Sequence, residues 1–328
     1  MDRCILGHDD TVGHHGPVTR GPLLCLDSAS LYYRAYYALP ESMTAPDGHP
    51  HNAVRGFLDT VTRLVTLHGP SAVAACWDED WRPQWRVDRL PSYKTHRLAD
   101  AADAAASASD EDTPDTLGPQ IGAIADILDA AGIPRPGADD CEADDVIATL
   151  ARRADEPVIV VTGDRDLVQV VRGEVRLLLT VNGGMDRWPL LDHAGVLERF
   201  GVPADRYVDL AILRGDPSDG IPGVPGFGAK TAIAVVTAFG SVEGALDAAR
   251  SGALTRPLTP RLAGLLIEHA DLIDAMRVVA TARTDVPVPA PRHRPVADAA
   301  LETLASEWGV TRQVTALRAA LEAHTLDA

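Results

Sequence analysis

Three short apolar runs in this chain each lead into an aspartate, and stretches with helical periodicity separate them. The runs are residues 23–26, 72–77 and 157–161, followed by Asp27, Asp78 and Asp164, and the helical stretches are residues 53–67, 117–131 and 142–154. Continuous apolar runs of this length are typical of strands buried on both faces. Their alternation with helices predicts an α/β fold, in which a parallel sheet carries helices on both faces.

The same pattern predicts that acidic side chains gather at one edge of the sheet. The carboxyl ends of parallel strands share an edge, and ligands of such sheets bind there. Further acids follow in close-set groups, and the complete set comprises Asp27, Asp78, Glu142, Asp144, Asp145, Asp164, Asp166, Asp216 and Asp219. Carboxylates placed close together repel one another strongly unless cations neutralise them.

The chemistry of these acids indicates a metal-dependent nuclease. Oxygen-only ligands suit hard cations such as Mg²⁺ or Mn²⁺. Two such ions held about 3.5–4 Å apart are the usual apparatus for hydrolysing phosphodiesters. Each group alone also has a structural explanation: the acids at 142–145 suit the first turn of a helix, those at 164–166 an N-cap, and residues 215–220 a tight turn. Only their conjunction favours a metal site.

The overall charge argues against a protein that binds nucleic acid through a broad basic surface. The net charge is −17, and neutralising the nine acids would still leave −8. Nucleic-acid-binding proteins normally present a basic face, so any such binding must depend on local basic patches and bridging metals. The 30 basic residues are 28 arginines and two lysines, Lys94 and Lys230, and both lysines fall in motif-like surroundings.

One stretch, residues 81–97, is both basic and aromatic. Its cations suit contacts with phosphates, and its rings, including Tyr93, suit stacking on bases. Lys94 and Arg97 are three residues apart and would share one face of a helix. A solvated basic segment would look similar, and that alternative stays open. Residues 100–115 lack apolar periodicity, which predicts a mobile excursion.

A glycine-rich segment at residues 221–231 leads into a helical pattern. Glycines allow backbone amides to approach a phosphate, and a helix N-terminus favours its negative charge. The segment predicts a helix-hairpin-helix that contacts a DNA backbone without reading its sequence. The residues assigned to this contact are Gly223, Val224, Gly226, Gly228, Lys230 and Thr231. An ordinary tight connection between two helices is the alternative.

The remaining sequence predicts a peripheral hairpin and a mostly helical second half. The hairpin pairs residues 175–180 with residues 186–188, and residues 286–296 form a proline-rich extended connector. The predicted helices are residues 192–200, 204–213, 229–239, 241–249, 261–282, 297–308 and 312–324.

The cysteines and the apolar runs bear on the compartment. Cys4, Cys25, Cys76 and Cys141 show no zinc-binding spacing. Cys25 and Cys76 lie inside apolar runs, which predicts buried, reduced thiols and a reducing cytoplasm. No apolar run is long enough to span a membrane, and residues 1–20 read as a loose extension without a secretory signal.

Several segments together resemble those of the bacterial 5′→3′ exonuclease and flap endonuclease family, which includes the N-terminal nuclease domain of DNA polymerase I. These segments are LCLDSASLYYRAYYALP, CWDED, SYKTHR, CEADDVIATLA, VVTGDRDLVQVV and RGDPSDGIPGVPGFGAKTA. The resemblance extends from about Leu23 to Val286, without a polymerase domain after it. The implied organisation is an extension (1–20), a PIN-like parallel-sheet nuclease domain with helices on both faces (21–200) and an arch at about 93–118, a helical helix-hairpin-helix (H3TH) region (201–290) and a C-terminal helical tail (291–328).

The resemblance also implies roles for individual residues. Asp27, Asp78, Glu142 and Asp144 would surround a first divalent ion, and Asp164, Asp166, Asp216 and Asp219 a second, with Asp145 between the two sets or behind them; two or three ions, Mg²⁺ or Mn²⁺, are implied. Lys94 and Arg97 match a basic pair at the base of the arch that stabilises charge on the scissile phosphate, and Arg34 matches a basic position beside the first acid. The glycine hairpin would grip duplex DNA and bind a monovalent ion such as K⁺.

The chain departs from the family pattern at two places. Gly220 stands where many relatives have asparagine, which would loosen the turn that presents Asp219. The expected arch at residues 100–115 is acidic rather than basic, which weakens its grip on a DNA strand.

The resulting hypothesis is a structure-specific 5′ nuclease. It would act as a cytoplasmic monomer on DNA with a 5′ flap, a nick or a single-strand/duplex junction, and on RNA–DNA hybrids, in removing primers and flaps during replication and repair. The alternatives are a PIN-like ribonuclease for single-stranded RNA, a catalytically silent DNA-junction binder, and a structural protein whose core is held together by metal ions.

Overall fold

A computed structural model describes residues 21–98 and 114–324 of the chain. The elements are, in order, β1 (Leu23–Asp27), α1 (Ser28–Ala38), α2 (Asn52–His68), β2 (Ala72–Cys76), α3 (Gln84–Arg89), α4 (Gly118–Ala130), α5 (Ala143–Arg153), β3 (Val158–Thr162), β4 (Val175–Leu179), β5 (Leu190–Leu191), α6 (His193–Phe200), α7 (Tyr207–Arg214), α8 (Ala229–Phe239), α9 (Val242–Ser251), α10 (Pro260–Glu268), α11 (Ala270–Ala280), α12 (Asp298–Glu307) and α13 (Thr311–His324). Single 3₁₀ turns lie at Asp166–Val170, Met185–Arg187, Ala204–Arg206 and Pro217–Asp219.

The strands form one five-stranded sheet in the order β2-β1-β3-β4-β5, and the predicted α/β architecture is confirmed. The first four strands are parallel, and β5 pairs antiparallel with β4. The chain leaves β1 toward β2 on one side and returns to β3 on the other. This reversal opens a crevice between the carboxyl ends of β1 and β3, where ligands of α/β sheets bind.

Both faces of the sheet are buried because neighbouring side chains of a strand point to opposite sides. In β1, Leu23 and Cys25 pack into one apolar cluster, whereas Leu24 and Leu26 pack into another. Helix α5 covers the first face, and helices α2 and α4 cover the second. The continuous apolar runs in the sequence reflect this burial on two sides.

Strand β2 lies at the edge of the sheet, and its outward backbone groups are covered by other parts of the chain. Val73 N–H donates to His293 Nε2 at 3.0 Å. Ala75 N–H and Trp77 N–H donate to the carbonyl oxygens of Pro134 and Pro136, each at 3.0 Å. Covering an edge in this way prevents it from pairing with another chain.

The predicted hairpin is correct in its first strand and wrong in its second. Residues 185–187 form a 3₁₀ turn, and the returning strand is β5 at residues 190–191. Pairing begins only where Leu179 N–H reaches the carbonyl oxygen of Pro189 at 3.0 Å. The longer loop is held in place because Trp188 Nε1 donates to the carbonyl oxygen of Val181 at 3.1 Å.

The single helix predicted over residues 261–282 is two helices, α10 and α11, that meet at His269. The apolar spacing continues through the break, so the sequence pattern does not reveal it. His269 has φ −103° and ψ 19°, and its Nδ1 lies 3.0 Å from the carbonyl oxygen of Leu265. Both the ring and the backbone N–H of His269 thus contact a carbonyl oxygen in the last turn of α10, and the next helix starts from the same residue.

The last two helices pack against the second face of the sheet. Leu301 of α12 and Val314, Leu317 and Leu321 of α13 are buried in the same cluster as Phe57 of α2. The connector before them is extended, as predicted, and is pinned where Arg294 N–H and Ala297 N–H donate to the carbonyl oxygens of Gly132 and Ala130, both at 2.8 Å.

The first apolar cluster is shared between the sheet and the helices that follow it. It contains Val160 of β3 and Leu167 together with Tyr207 and Leu210 of α7 and Met276 of α11. The second half of the chain is therefore built onto the same core as the strands.

Cys25, Cys76 and Cys141 are buried and carry no disulfide, in agreement with the prediction for the first two. The loose extension at residues 1–20, Cys4, and nearly all of the predicted excursion at residues 100–115 lie outside the described residues. Within residues 21–98 and 114–324, no single helix has the length and apolarity needed to cross a membrane; α8 and α9 reach them only as a pair bent by 77°.

The packing predicts that α13 contributes to the stability of the whole fold. Leu317→Ala should lower the free energy of unfolding by about 2–4 kcal/mol, because it removes a fully buried side chain. Leu67→Ala is the control: Leu67 is 59% exposed on α2, and its loss should cost less than about 1 kcal/mol. Urea unfolding followed by circular dichroism measures both, and equal effects would contradict the packing of α13.

Candidate active site

A cavity of about 580 Å³ lies at the carboxyl edge of the sheet. Six of the nine predicted acids line it together with two predicted cations: Asp27, Asp78, Glu142, Asp144, Asp164, Asp216, Lys94 and Arg97. The acids come from the ends of β1, β2 and β3, the start of α5 and the turn after α7, and the two cations come from the segment after α3. The prediction that the strand-end acids meet at one edge is thus confirmed for these side chains.

Asp27 and Asp164 are linked through the end of β3. Asp27 Oδ1 accepts from Ser30 N–H at 3.1 Å and so caps α1, while Oδ2 accepts from the Thr162 hydroxyl at 2.6 Å. The same hydroxyl oxygen accepts from Asp164 N–H at 2.8 Å. Asp27 is therefore an N-cap and a cavity acid at once, so the structural and the functional explanations hold together.

The N-terminus of α5 faces the cavity. Asp78 Oδ1 accepts from Ala143 N–H, the first amide of this helix, at 2.7 Å. Glu142 precedes the helix and Asp144 lies in its first turn. Since α1 also begins at the cavity, two helix N-termini direct their positive ends toward the acids and offset part of their repulsion.

Glu142 is the acid with the strongest cationic partners. Its Oε2 lies 2.5 Å from Lys94 Nζ, and its Oε1 lies 3.1 Å from Arg86 Nη1 and accepts from the Tyr93 hydroxyl at 2.7 Å. Burial alone would raise the pKa of Glu142, but Lys94 and Arg86 hold it below its ordinary value. Burial would likewise lower the pKa of Lys94, whereas Glu142 and Asp219 raise it overall. Both groups are therefore charged at neutral pH.

The surroundings of the other acids disfavour their negatively charged forms. Burial raises the pKa of Asp78 to about 7 and that of Asp164 to about 6, and neighbouring carboxylates add to both shifts. Burial also raises the pKa of Asp27, Asp144 and Asp166, with further contributions from nearby acids. The cavity thus holds more negative charge than its own cations neutralise, which is the environment in which a bound cation is favoured.

The carboxylates nevertheless point toward internal partners. Within the described residues, no three His, Cys, Asp or Glu side chains stand in an arrangement that would hold one metal ion. Asp27, Asp78 and Glu142 each also hydrogen-bond to the protein through at least one carboxylate oxygen. The ligand set stays a prediction.

The four acids of the predicted second set lie at two 3₁₀ turns: Asp164 and Asp166 at the start of Asp166–Val170, and Asp216 and Asp219 at Pro217–Asp219. Asp216 Oδ1 accepts from Ser218 N–H at 3.0 Å, and Asp166 N–H donates to Asp164 Oδ1 at 2.8 Å. Asp166 lies within hydrogen-bonding reach of Asp219, so the two carboxyl groups share a region of negative potential. Of these acids, Asp216 and Asp164 line the cavity, and Asp166 and Asp219 lie behind it.

Asp145 is buried behind the cavity rather than in it. Its Oδ1 is 2.8 Å from Arg86 Nη2 and also accepts from Arg283 N–H at 2.8 Å. Arg86 thereby joins Asp145 to Glu142, and Asp145 anchors the chain after α11 to α5. Asp145 was predicted either between the two sets of metal ligands or behind them, and this position corresponds to the second possibility.

Tyr93 is located differently from what its predicted stacking on a base requires, and Arg34, predicted as a catalytic cation beside the first acid, contacts a different part of the chain. Tyr93 is 2% exposed because it packs in the first apolar cluster, and its hydroxyl donates to Glu142, so its ring cannot stack on a base in this conformation. Arg34 Nη2 donates to the carbonyl oxygens of Val181 and Gly183, and its guanidinium lies over the Trp188 ring. Arg34 therefore holds the loop after β4 and does not line the cavity.

Gly220 tightens the turn that carries Asp219, contrary to the expectation that it would loosen it. Gly220 has φ +69°, and a Cβ atom on it would lie 2.0 Å from the Ser92 carbonyl oxygen. The Ser92 hydroxyl also donates to the Gly220 carbonyl oxygen at 2.7 Å. Only glycine permits this close approach between the turn and the segment that carries Lys94.

The glycine-rich segment forms a compact loop between α7 and α8, and Asp216–Ile221 pairing closes its base. Gly223 and Val224 are buried, whereas Gly226, Gly228 and Lys230 are exposed and Thr231 is half-buried. Gly228 is the N-cap of α8 and provides no side-chain cap. The first amides of α8 are thus presented at the surface beside Lys230, as a contact with phosphate requires.

Trp81 of the basic and aromatic stretch also lines the cavity, as do residues that the sequence analysis did not select: Ser30, Tyr33, Gly163 and Arg165. Ser30 and Tyr33 lie three and six residues after Asp27, and the helical spacing of α1 was a usable signal for them. Arg165 is a cation between two acids of the motif. Nothing in the sequence distinguished Arg86, the buried partner of Glu142 and Asp145, from its neighbouring arginines.

Comparison with known proteins identifies relatives over nearly the whole chain. Residues 22–201 match the model of the 5′-3′ exonuclease N-terminal resolvase-like domain, and residues 202–302 match that of the 5′-3′ exonuclease C-terminal SAM fold. A 5′-3′ exonuclease of Streptomyces coelicolor is 49% identical over 294 residues, covering 88% of this chain and 96% of that protein. One of Mycobacterium tuberculosis is 44% identical over 317 residues, covering 92% and 98%.

A solved structure supports the fold. The chain resembles the bacteriophage T5 flap endonuclease in complex with DNA and metal ions, with a TM-score of 0.61 and 17% identity over 92% of this chain and 99% of that one. At this identity the likeness speaks for the architecture alone.

The electrostatics of the cavity predict a pH dependence of stability without metal. Because the folded-state pKa of Asp78 is about 7, above the ordinary 3.8, the folded state binds more protons, and Asp78 destabilises it increasingly as pH rises from 4 to 7. Asp78→Asn should therefore become more stable relative to wild type between pH 5 and pH 8, by no more than about 3 kcal/mol, because about two pH units of this range lie below the folded-state pKa. Urea unfolding in EDTA at both values measures this. Asp139→Asn, the same change at an exposed position, controls for the lost charge, and a difference that shrinks with pH would contradict the assignment.

Proposed function

Since the chain belongs to the 5′-3′ exonuclease family, we propose that its acidic cavity hydrolyses DNA phosphodiesters near the 5′ end of a strand. The observation that carries the proposal is the cavity itself, in which six acids surround Lys94 at the carboxyl edge of a parallel sheet. Family membership makes the chain a 5′ nuclease, and the cavity is the place where such chemistry can occur.

The acids suit divalent metal ions. All of them offer carboxylate oxygens, and burial with mutual repulsion raises the pKa of Asp27, Asp78, Asp144, Asp164 and Asp166, so that a cation would relieve the strain. The proposed ligands are Asp27, Asp78, Glu142 and Asp144 for one ion and Asp164, Asp166, Asp216 and Asp219 for another. Bound Mg²⁺ or Mn²⁺ would supply an activated water and charge neutralisation.

Lys94 and Arg97 supply the positive charge that the protein itself brings to the phosphate. Lys94 Nζ lines the cavity beside Glu142. Arg97 also lines the cavity, and its Nη2 lies 3.6 Å from Asp219 Oδ1. A phosphodiester that enters between them gains a cation on the oxygen where negative charge develops. Arg165, exposed on the same cavity, is a further cation within reach of the DNA backbone.

The loop before α8 would bind the duplex part of the substrate, at a distance from the phosphodiester that is cleaved. Its exposed residues Gly226, Gly228 and Lys230 offer backbone amides and one ammonium group, which suit phosphate oxygens in any sequence. Gly223 and Val224 would act by shaping the loop from inside. This loop would also hold a monovalent ion such as K⁺, which would add positive charge for the DNA backbone.

The proposed substrate is DNA with a 5′ flap, a nick or a single-strand/duplex junction, including RNA–DNA hybrids, and the product would carry a 5′-phosphate. The relatives that are 49% and 44% identical are 5′-3′ exonucleases, and the proposal extends their action at a 5′ end to these DNA forms. Removal of primers and flaps by a cytoplasmic monomer is the corresponding role.

A first test removes one acid of the cavity. Asp164→Ala should lower the rate of cleavage of a 5′-flap duplex with Mg²⁺ or Mn²⁺ by more than about 100-fold, and it should reduce the stabilisation of the protein by Mn²⁺ in a thermal melt. Asp274→Ala, at an exposed position of α11, is the control. Undiminished cleavage by Asp164→Ala would refute the assignment. Binding without turnover in any metal would indicate a silent junction binder, and cleavage of RNA alone a ribonuclease.

The two lysines allow a second test, because they belong to different parts of the proposed DNA contact. Lys94→Ala should lower the single-turnover rate at saturating enzyme by roughly 100- to 1,000-fold with little change in Kd. Lys230→Ala should weaken binding and reduce the slope of log Kd against log salt by about one, with little change in the saturated rate. Gel-shift and rapid-quench measurements on one flap substrate decide, and the opposite pattern would contradict both roles.

A further inference from the structure

The peptide bond between Tyr93 and Lys94 is held at both of its polar atoms. The Tyr93 carbonyl oxygen accepts from Arg82 Nε at 2.7 Å. The Lys94 N–H donates to the carbonyl oxygen of Asp219 at 3.0 Å. The orientation of this peptide plane is thus fixed from one side by an arginine and from the other by the turn that carries a proposed metal ligand.

The orientation matters because Lys94 has an unusual backbone conformation. Its φ is +48°, and within the described residues Asp140 is the other non-glycine residue with positive φ. A side chain such as lysine rarely adopts this left-handed region unless its surroundings impose it. In this conformation Nζ lies 3.2 Å from the Trp81 carbonyl oxygen and 2.5 Å from Glu142 Oε2, within the cavity. A rotation of the Tyr93–Lys94 peptide would return φ to its ordinary range and withdraw Nζ.

Arg82 is itself fixed in position. Its backbone N–H donates to Asp80 Oδ1 at 2.9 Å, and its Nη2 donates to the Thr95 hydroxyl at 3.3 Å. The Arg82 side chain therefore connects the loop after β2 to both neighbours of Lys94, which are Tyr93 and Thr95. Arg82 is not among the residues that line the cavity, and its guanidinium group contacts the chain on both sides of Lys94.

We infer that Arg82 is a positioning residue, which holds the Tyr93–Lys94 peptide so that the Lys94 ammonium group points at the scissile phosphate. The inference rests on the proposed function, since it assigns Arg82 to the reaction through Lys94. It separates Arg82 from the other arginines of residues 81–97, whose charges would attract DNA in general. What counts at position 82 is a hydrogen-bond donor at the Nε position, not the positive charge.

Three substitutions distinguish these two roles. Arg82→Gln places an amide nitrogen where Nε stands and keeps the donor while losing the charge. Arg82→Lys keeps the charge but has a methylene group at that position, and Arg82→Met keeps neither. Exposed Arg89→Gln is the control for loss of one positive charge in the same segment.

The kinetic experiment is single-turnover cleavage of a 5′-flap duplex with Mg²⁺ at saturating enzyme. Arg82→Met and Arg82→Lys should both lower the rate by about 10-fold or more, with Kd unchanged within about 2-fold, because a displaced catalytic group costs rate rather than binding. Arg82→Gln should keep most of the wild-type rate. In a Lys94→Ala background, Arg82→Met should cause no further loss, since the two residues act as one unit.

A second readout does not depend on catalysis. The chain has only two lysines, so brief acetylation with an N-hydroxysuccinimide ester, followed by peptide mass spectrometry, reports the reactivity of Lys94 against Lys230 as an internal reference. Arg82→Met should raise the Lys94/Lys230 labelling ratio several-fold by releasing the buried ammonium, whereas Arg82→Gln should leave it near wild type.

The proposal would be overturned by an unchanged labelling ratio in Arg82→Met, by a full rate in Arg82→Lys with a low rate in Arg82→Gln, or by multiplicative losses with Lys94→Ala. If Arg82→Met does not fold, the comparison of the Gln and Lys variants still decides. Should wild type fail to cut any flap substrate, the proposed function falls, but the labelling ratio still tests whether Arg82 holds Lys94.

Discussion

The mutual repulsion of carboxylates in one recess is the constraint on which the rest of the structure depends. Asp27, Asp78, Asp144 and Asp164 line the same cavity, and each is surrounded by protein that raises its pKa. Such a cluster is unfavourable for folding, and it persists only because neighbouring groups oppose it. The helix N-termini of α1 and α5, together with the buried cations Lys94 and Arg86, are these opposing groups.

The contacts of Glu142 show how buried cations offset the repulsion between the acids. Lys94 contacts Glu142 from the side of the cavity, and Arg86 contacts it from the interior. Arg86 also forms an ion pair with Asp145. A buried cation shared by two acids is costly to disturb, because removing one partner leaves an unpaired charge in the interior. The Lys94–Glu142–Arg86–Asp145 network therefore connects the cavity to the interior through consecutive ion pairs.

The sequence was sufficient for the parts of the fold and site that depend on local pattern. Buried strands read as apolar runs, and the acid that ends each run is carried to the carboxyl edge by the parallel topology; Asp27 and Asp78 were predictable for this reason. Contacts between distant segments left no such signal. The break at His269, the burial of Tyr93 and the anchoring of the β4 loop by Arg34 each depend on a partner that neither periodicity nor composition reveals. Gly220 belongs to the same group, since the reason for glycine lies in the approach of Ser92.

The apolar cluster that joins β3 to α7 and α11 has a consequence for where this chain can be divided. The two family models meet between residues 201 and 202, but Val160 and Leu167 before that point share a core with Tyr207, Leu210 and Met276 after it. The junction is therefore a boundary of sequence similarity and not of folding. A fragment that stops there would leave a broad apolar face open to water, and the two halves are expected to unfold as one cooperative unit.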